Sequence, residues 1–321
     1  MRVTCFKTVL TMKKSLRKVV AVICCLVLGS SVVLPVDKAF GAENDNDSAY
    51  EEFLNNTECL TFEQLVAMSG TSITYEVDTI RDFQKLSDEQ LEDLQVTDSD
   101  VETLRTKSAE EIVLDHAANL SDSILKEKGL SQQSIDNIKS GNYSNLTSTD
   151  IRAASSKLAF NIANIHRTQG SANYTVHWRC DTPPAVGFTD KIAAGISNYY
   201  ATGGGATAVL YYMDQSGAHP QEDRRIGGKV KGSTAVFEIP MTWAYSSSDI
   251  RVCLGGRAFV PVTPTSYPEP SILQASAAYI HGLIPKGLPL KVSVNFAGVL
   301  SIEFDLSQGL KMAEIYKNIP W

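Results

Sequence analysis

Downstream of residue 41 the reactive side chains are Cys59, Cys180 and Cys253, together with His116, His166, His177, His219 and His281. A zinc site needs ligands grouped as Cys-x-x-Cys or His-Glu-x-x-His, and neither spacing occurs. Nor does a Gly-x-Ser-x-Gly nucleophile elbow or a Gly-x-x-x-x-Gly-Lys-Ser/Thr phosphate loop. Gly203-Gly204-Gly205 lacks the lysine and the helix that a phosphate cradle requires, and it reads as a flexible hairpin turn. A Cys–His nucleophile on Cys180 or Cys253 would need an activated thiol. The acidic pair Glu222-Asp223 would need a partner carboxylate across a cleft to cleave a glycoside. No catalytic residue, cofactor or metal ligand is assigned from these patterns.

Two features carry expectations instead. Cys180 and Cys253 both fall at strand-like positions of an exported chain and are expected to pair as a disulfide, leaving Cys59 free or intermolecular. The alternative is three buried free thiols. Residues 191–212 form an expected hairpin turning at Gly204, in which Tyr199 faces Val209 and Ser197 faces Tyr211. One face is then apolar, with Ile192, Ala194, Ile196, Tyr200, Leu210 and Tyr212. On the other, Tyr199 and Tyr211 are diagonal neighbours whose rings are placed to stack on a sugar or a partner's apolar surface. A tyrosine pair that only stabilises the sheet is the alternative. Tyr199 and Tyr211 are the candidate ligand-binding residues, and a register slip of one residue would exchange the faces.

The elements that hold these residues follow from composition and period. The chain has 321 residues, is 43% apolar and carries a net charge of −7, which excludes a disordered polymer and disfavours a basic nucleic-acid binder. Residues 1–41 read as a cleaved secretory signal. Lys13, Lys14, Arg17 and Lys18 precede an apolar stretch, Val19 to Leu34, shorter than a spanning helix. Ala39 and Gly41 are the small residues that set cleavage before Ala42. The mature chain is then expected outside the cell or at its surface, with no stable membrane anchor, in a bacterium.

Charge divides the remainder. Residues 43–170 hold 24 acidic and 10 basic side chains, whereas 171–321 hold 11 and 12. After an acidic leader at 42–49, residues 50–168 repeat one phrase: an apolar residue, Ser or Thr, then an apolar residue four positions on. It occurs at Leu60-Thr61, Leu86-Ser87, Val96-Thr97, Leu130-Ser131 and Leu146-Thr147. The hydroxyl caps a helix N-terminus and the flanking apolar pair staples it. Gln64, Gln90 and Glu111 complete capping boxes with Thr61, Ser87 and Ser108. The phrases at 86–105 and 120–139 match at an offset of 34 residues, as a duplication or as a chance recurrence of a good start signal.

From 171 to 321 the period becomes two. Tyr174, Val176 and Trp178 alternate with polar residues, and so do runs at 235–245, 290–296 and 300–304, with a break expected at Pro240. Further strands are expected near 206–213, 250–262 and 273–284. The expected fold is α+β in separate units: a bundle of short capped helices, then an antiparallel β-sandwich or barrel joined near 168–171. The functional expectation is an extracellular binding or interaction module without catalysis, its partner a cell-wall glycan or a surface protein and not nucleic acid. A secreted hydrolase or a membrane-active toxin is the alternative.

Overall fold

The structure, a computed structural model, describes residues 50–320 apart from 52, 54–59, 94–97, 169–170, 186–188, 197–199, 203–204, 215–221, 232–233, 245–249, 265–271, 282–292, 295–299 and 302–309. The expected signal and acidic leader, Cys59 and Tyr199 lie outside the described residues. The chain divides into two units, Met1–Gly41 and Ala42–Trp321, and the described helices and strands all lie in the second.

Its helices are α1 (Phe62–Ala67), α2 (Glu76–Gln84), α3 (Asp88–Asp93), α4 (Asp98–Thr106), α5 (Ala109–Ala117), α6 (Asp122–Glu127), α7 (Gln132–Lys139) and α8 (Ser148–Ala154). Six of them start at a capping Ser or Thr; α2 follows Tyr75 without a side-chain cap, and the Val96-Thr97 phrase ahead of α4 lies outside the described residues. Thr61, Ser108, Ser121, Ser131 and Thr147 each accept a backbone N–H from the first turn. Ser87 and Gln90 exchange the two bonds of a capping box ahead of α3. The turn from α6 to α7 shows how little chain this needs. Gly129 takes φ +88°, a left-handed value glycine adopts without steric cost. The Leu130 N–H then reaches back to the Leu125 carbonyl at 3.2 Å. Leu130 closes α6 against Leu125 and staples α7 against Ile135, and all three are buried in one cluster with Leu114 and Ile138.

The strands are β1 (Ser72–Tyr75), β2 (Lys157–Thr168), β3 (Ser171–Cys180), β4 (Thr189–Ile196), β5 (Tyr200–Thr202), β6 (Thr207–Asp214), β7 (Glu222–Gly227), β8 (Lys229–Lys231), β9 (Thr234–Pro240), β10 (Thr242–Ala244), β11 (Ile250–Pro264), β12 (Ile272–His281), β13 (Ser293–Val294), β14 (Leu300–Ser301) and β15 (Leu310–Pro320). One antiparallel sheet runs β1-β2-β3-β11-β6-β7, with β5 and β10 also paired to β11. A second runs β15-β12-β4-β9-β8, and β13 pairs with β14. The two large sheets are not closed into a barrel. Alternate residues of both, among them Phe160, Trp178, Leu210, Val260, Phe237 and Tyr279, share one core.

Three expectations change. First, residues 157–168 are not helical. They form β2, whose Thr168 pairs with Ser171 of β3, so the expected junction falls between paired strands of one sheet and not between units. Ala159 and Ala163 are as buried as Leu158 and Phe160 on the other face, and a strand buried on both faces shows no polar alternation. Second, the helices and the sandwich share a unit, joined by a polar seam. Lys128, capping α6, donates to Asp181 Oδ2 at 2.6 Å and to Thr182 Oγ1 at 3.2 Å. The His116 ring nitrogen lies 3.0 Å from the Pro183 carbonyl, and Ser156 donates to the Thr182 carbonyl at 2.7 Å.

Third, β4 and β6 do not pair. They lie in opposite sheets, β4 between β12 and β9, β6 between β11 and β7. Ile192 and Ala194 meet Leu210 and Tyr212 across the core, so burying both apolar faces separates the strands that the sequence pairs in a hairpin. The alternating run after Ala235 likewise changes sheets at Pro240: β9 belongs to the smaller sheet and β10 to the larger, as the expected break requires. Among the described residues no helix is long and apolar enough to cross a membrane.

Candidate functional site

The outer face of the larger sheet, turned away from the sandwich core, brings its chemistry-bearing residues into rows. Period two sends Tyr174, Val176 and Trp178 inward, and therefore Thr175, His177 and Arg179 outward. The ladder registers align Asn161 of β2, His177 of β3, Arg257 of β11, Val209 of β6 and Arg225 of β7 in one transverse row. A flanking row holds Ala159, Arg179, Gly255, Tyr211 and Asp223. The other holds Ala163, Thr175, Phe259, Thr207 and Gly227. Gly255 lacks a side chain for a steric reason: a Cβ there would sit 2.5 Å from the Trp178 carbonyl oxygen and 2.8 Å from Arg179 Cδ. Arg179 thereby lies across β11.

This face is mostly buried. His177 is 5% exposed, Arg257 4% and Tyr211 2%. Part of the cover is the helical stretch that carries Tyr50 and Phe53. Both rings pack on Phe259, with centroids at 5.7 and 5.3 Å. The Arg257 guanidinium lies 4.5 Å from the centre of the Phe53 ring, a cation–π contact. The Tyr50 hydroxyl is 3.3 Å from Thr207 Oγ1. These aromatics, with Val209 and Tyr211, form a core cluster of their own. The polar row is less well matched. Nε2 of His177 and Oδ1 of Asn161 have no hydrogen-bond partner among the described residues. Burial, and then the Arg257 charge, hold the His177 pKa down to about 4, so the ring is neutral at physiological pH.

The structure places Tyr211 on this face, as the strand period requires, but seals it under the N-terminal aromatics instead of leaving it wet. The expected pairing with Tyr199 falls with the hairpin. Cys180 and Cys253 are free thiols in this structure, buried on the inner face. Burial pushes Cys253 up to about 12 and Cys180 above its ordinary value, so neither is a thiolate nucleophile. A cavity of about 20 Å³ beside Cys180, Glu76, Asp190 and Tyr279 has room for a water but not for a substrate. Among the described residues no group of acidic, histidine or cysteine side chains is placed to hold a metal ion. Gly205 takes φ +92° at a turn ahead of β6, while Gly203 and Gly204 lie outside the described residues.

Sequence reasoning missed Arg257, Asn161 and Phe53. Arg257 did leave a signal: one cation inside an apolar run from Val252 to Val262. Phe53 carried no such signal, because its role depends on where a distant segment docks.

No family model matches the chain, and no curated protein matches it in sequence. Among solved structures it is similar to the collagen-binding domain from a Staphylococcus aureus adhesin, at 5% identity and TM-score 0.27, over 50% of this chain and 95% of that one. It is also similar to the collagen-binding domain of Erysipelothrix rhusiopathiae surface protein RspB, at 10% identity and TM-score 0.26, over 50% of this chain and 48% of that one. The C-terminal domain of the Streptococcus agalactiae AgI/II polypeptide BspA matches at 9% identity and TM-score 0.22, over 50% and 48%. The chain spans about half the length of the latter two. Likeness at this level assigns neither a family nor a function.

Proposed function

We propose that this chain is an exported binding module that engages a cell-wall glycan or a surface protein without chemistry of its own, through the outer face of its larger sheet. One observation carries the reading. Three arginines, a histidine, an asparagine and two aromatics are gathered on a sheet face that the sandwich core does not need, with Arg257, His177, Asn161, Tyr211 and Phe259 buried. Burying such polar groups costs stability unless partners satisfy them, and a binding role accounts for keeping them there. Tyr211 belongs to this contact region. Tyr199, outside the described residues, remains proposed as a ligand-binding residue independently of any pairing with Tyr211.

The test uses the full mature chain. Purified cell-wall glycan and a purified surface protein are each offered to the immobilised protein. The expected result is saturable capture of one of them, lost in Arg257→Ala and Tyr211→Ala variants whose circular dichroism is unchanged. Equal capture by both folded variants would remove this face as the site. Release of soluble sugars from the glycan would favour the hydrolase. Export is tested on the secreted protein, whose N-terminal residue should be Ala42 or Glu43; an intact Val19–Leu34 segment in a membrane fraction would overturn it.

A further inference from the structure

The larger sheet ends at β7, and among the described residues no strand pairs with its far side. Such an edge presents a row of backbone donors and acceptors to any extended chain. Asp223, Arg224 and Arg225 along it are exposed, so solvent reaches the edge. Lysines commonly guard an open edge, since like charges repel a second copy. β8, which ends the smaller sheet, is of that kind, with Lys229 and Lys231 on either side of Val230. β7 differs. It begins Glu222-Asp223-Arg224-Arg225, two acids followed by two bases. An antiparallel copy of the same strand therefore meets acids with bases and bases with acids.

From this pattern we infer that β7 is a self-pairing edge whose partner is β7 of a second copy of this chain. A twofold axis normal to the sheet relates two such copies. The axis keeps each face on its own side, and a strand alternates sides, so only positions of equal parity stand opposite each other. Centred on Arg224, the pairing sets Asp223 of each copy opposite Arg225 of the other, with Cβ atoms about 4.5–5.5 Å apart. Both residues belong to the outer face, beside Tyr211 and Val209 of β6. Arg224 meets its own counterpart on the other face, where its guanidinium lies over the Trp243 ring, 5.5 Å from the centre. Centred on Asp223, the pairing would instead set two carboxylates against each other on the exposed side. The dimer joins two larger sheets into one and sets two outer faces side by side, so a repetitive surface is held at two points. With six residues in the edge, the contact is smaller than a standard interface and the dimer is weak. Pairing needs only the edge and does not depend on the binding-module reading.

Sedimentation equilibrium of the full mature chain tests this, at protein concentrations from about 1 μM to 1 mM. Wild type should pass from monomer toward dimer, less readily at about 1 M salt than at about 0.1 M, because salt screens the charge pairs. Asp223→Arg and Arg225→Asp each put like charges at both pairs, and each should weaken association at least about tenfold. Mixed in equal amounts, the two variants restore opposite charges at both pairs and should associate with each other as wild type does. Circular dichroism checks that each variant is folded; if either is not, Arg225→Ala and the salt series decide. A wild-type chain that is monomeric throughout overturns the inference. So do single variants that dimerise as wild type does, and a mixture that associates no better than its components. A monomeric wild-type chain that still captures the glycan or the surface protein leaves the binding-module reading standing without the pairing.

Discussion

Replacing His177 with glutamine should make the protein more resistant to mild acid, and the size of the effect follows from the site. In the unfolded chain the imidazole titrates near its ordinary value of 6.5, while burial and the neighbouring Arg257 hold it at about 4 in the fold. Between those values the unfolded state binds a proton that the folded state refuses. Stability from this residue is therefore complete above pH 6.5 and is lost as pH falls toward 4. From pH 7.5 to pH 5 the loss is about 2 kcal/mol, approaching about 3 kcal/mol near pH 4. Asn161 and Arg257 are the cross-strand neighbours of the ring, and no carboxylate is among its causes of shift. His116, also held low by burial, contributes in the same direction, so the readout is the difference between wild type and variant. Urea unfolding at pH 7.5 and pH 5 measures it. His177→Gln should lose about 2 kcal/mol less than wild type over that interval, whatever its absolute stability. Arg257→Met should recover only part of the loss, since burial is the larger cause. Parallel losses in wild type and His177→Gln, or an imidazole titrating near 6.5 by NMR, would refute the reasoning.

Other outcomes follow from the packing. Leu130→Ala removes the residue that closes α6 and staples α7 and should cost about 2–5 kcal/mol, against a few tenths for Ser131→Gly; equal losses in urea unfolding would dismiss the staple. Lys128 and Asp181 form a pair with side chains 4% and 11% exposed. Lys128→Ala removes the direct partner of Asp181 Oδ2, while Lys157 Nζ at 4.0 Å, the Lys157 N–H and the Thr182 hydroxyl remain on the carboxylate. It should cost about 1.5–3 kcal/mol, and the double variant Lys128→Met/Asp181→Asn less. A double-mutant cycle with no coupling would contradict this. We propose that Cys180 and Cys253, free in this structure, oxidise to a disulfide as thiols of an exported chain would. Closing a loop of this length stabilises by about 4 kcal/mol in the chain-entropy model. Mass spectrometry without reductant should find the cross-linked peptides, and alkylation of both thiols in the unfolded protein would exclude the bond.

The sequence by itself determined the local features. Helix starts at Thr61, Ser87, Ser108, Ser131 and Thr147 were legible because a cap and its staple are made by residues within five positions of each other. The inward and outward sets of β3 and β6 were legible because a strand alternates whatever it packs on. What lay on the far side of each face was not. β2 passed for part of the helical module because alanines and an asparagine on its second face erase the contrast that alternation needs. The β4–β6 hairpin was plausible from the turn glycines alone. Only the sandwich reveals that two strands with apolar faces gain more by facing each other across a core than by sharing a ladder. Tyr211 shows the same division most plainly. Its side of the strand was fixed by the parity of its position, and its burial by a segment some 160 residues earlier in the chain, carrying Tyr50 and Phe53. Local periodicity sets which way a side chain points; the docking of distant segments decides whether it meets water, and no spacing along the chain records that.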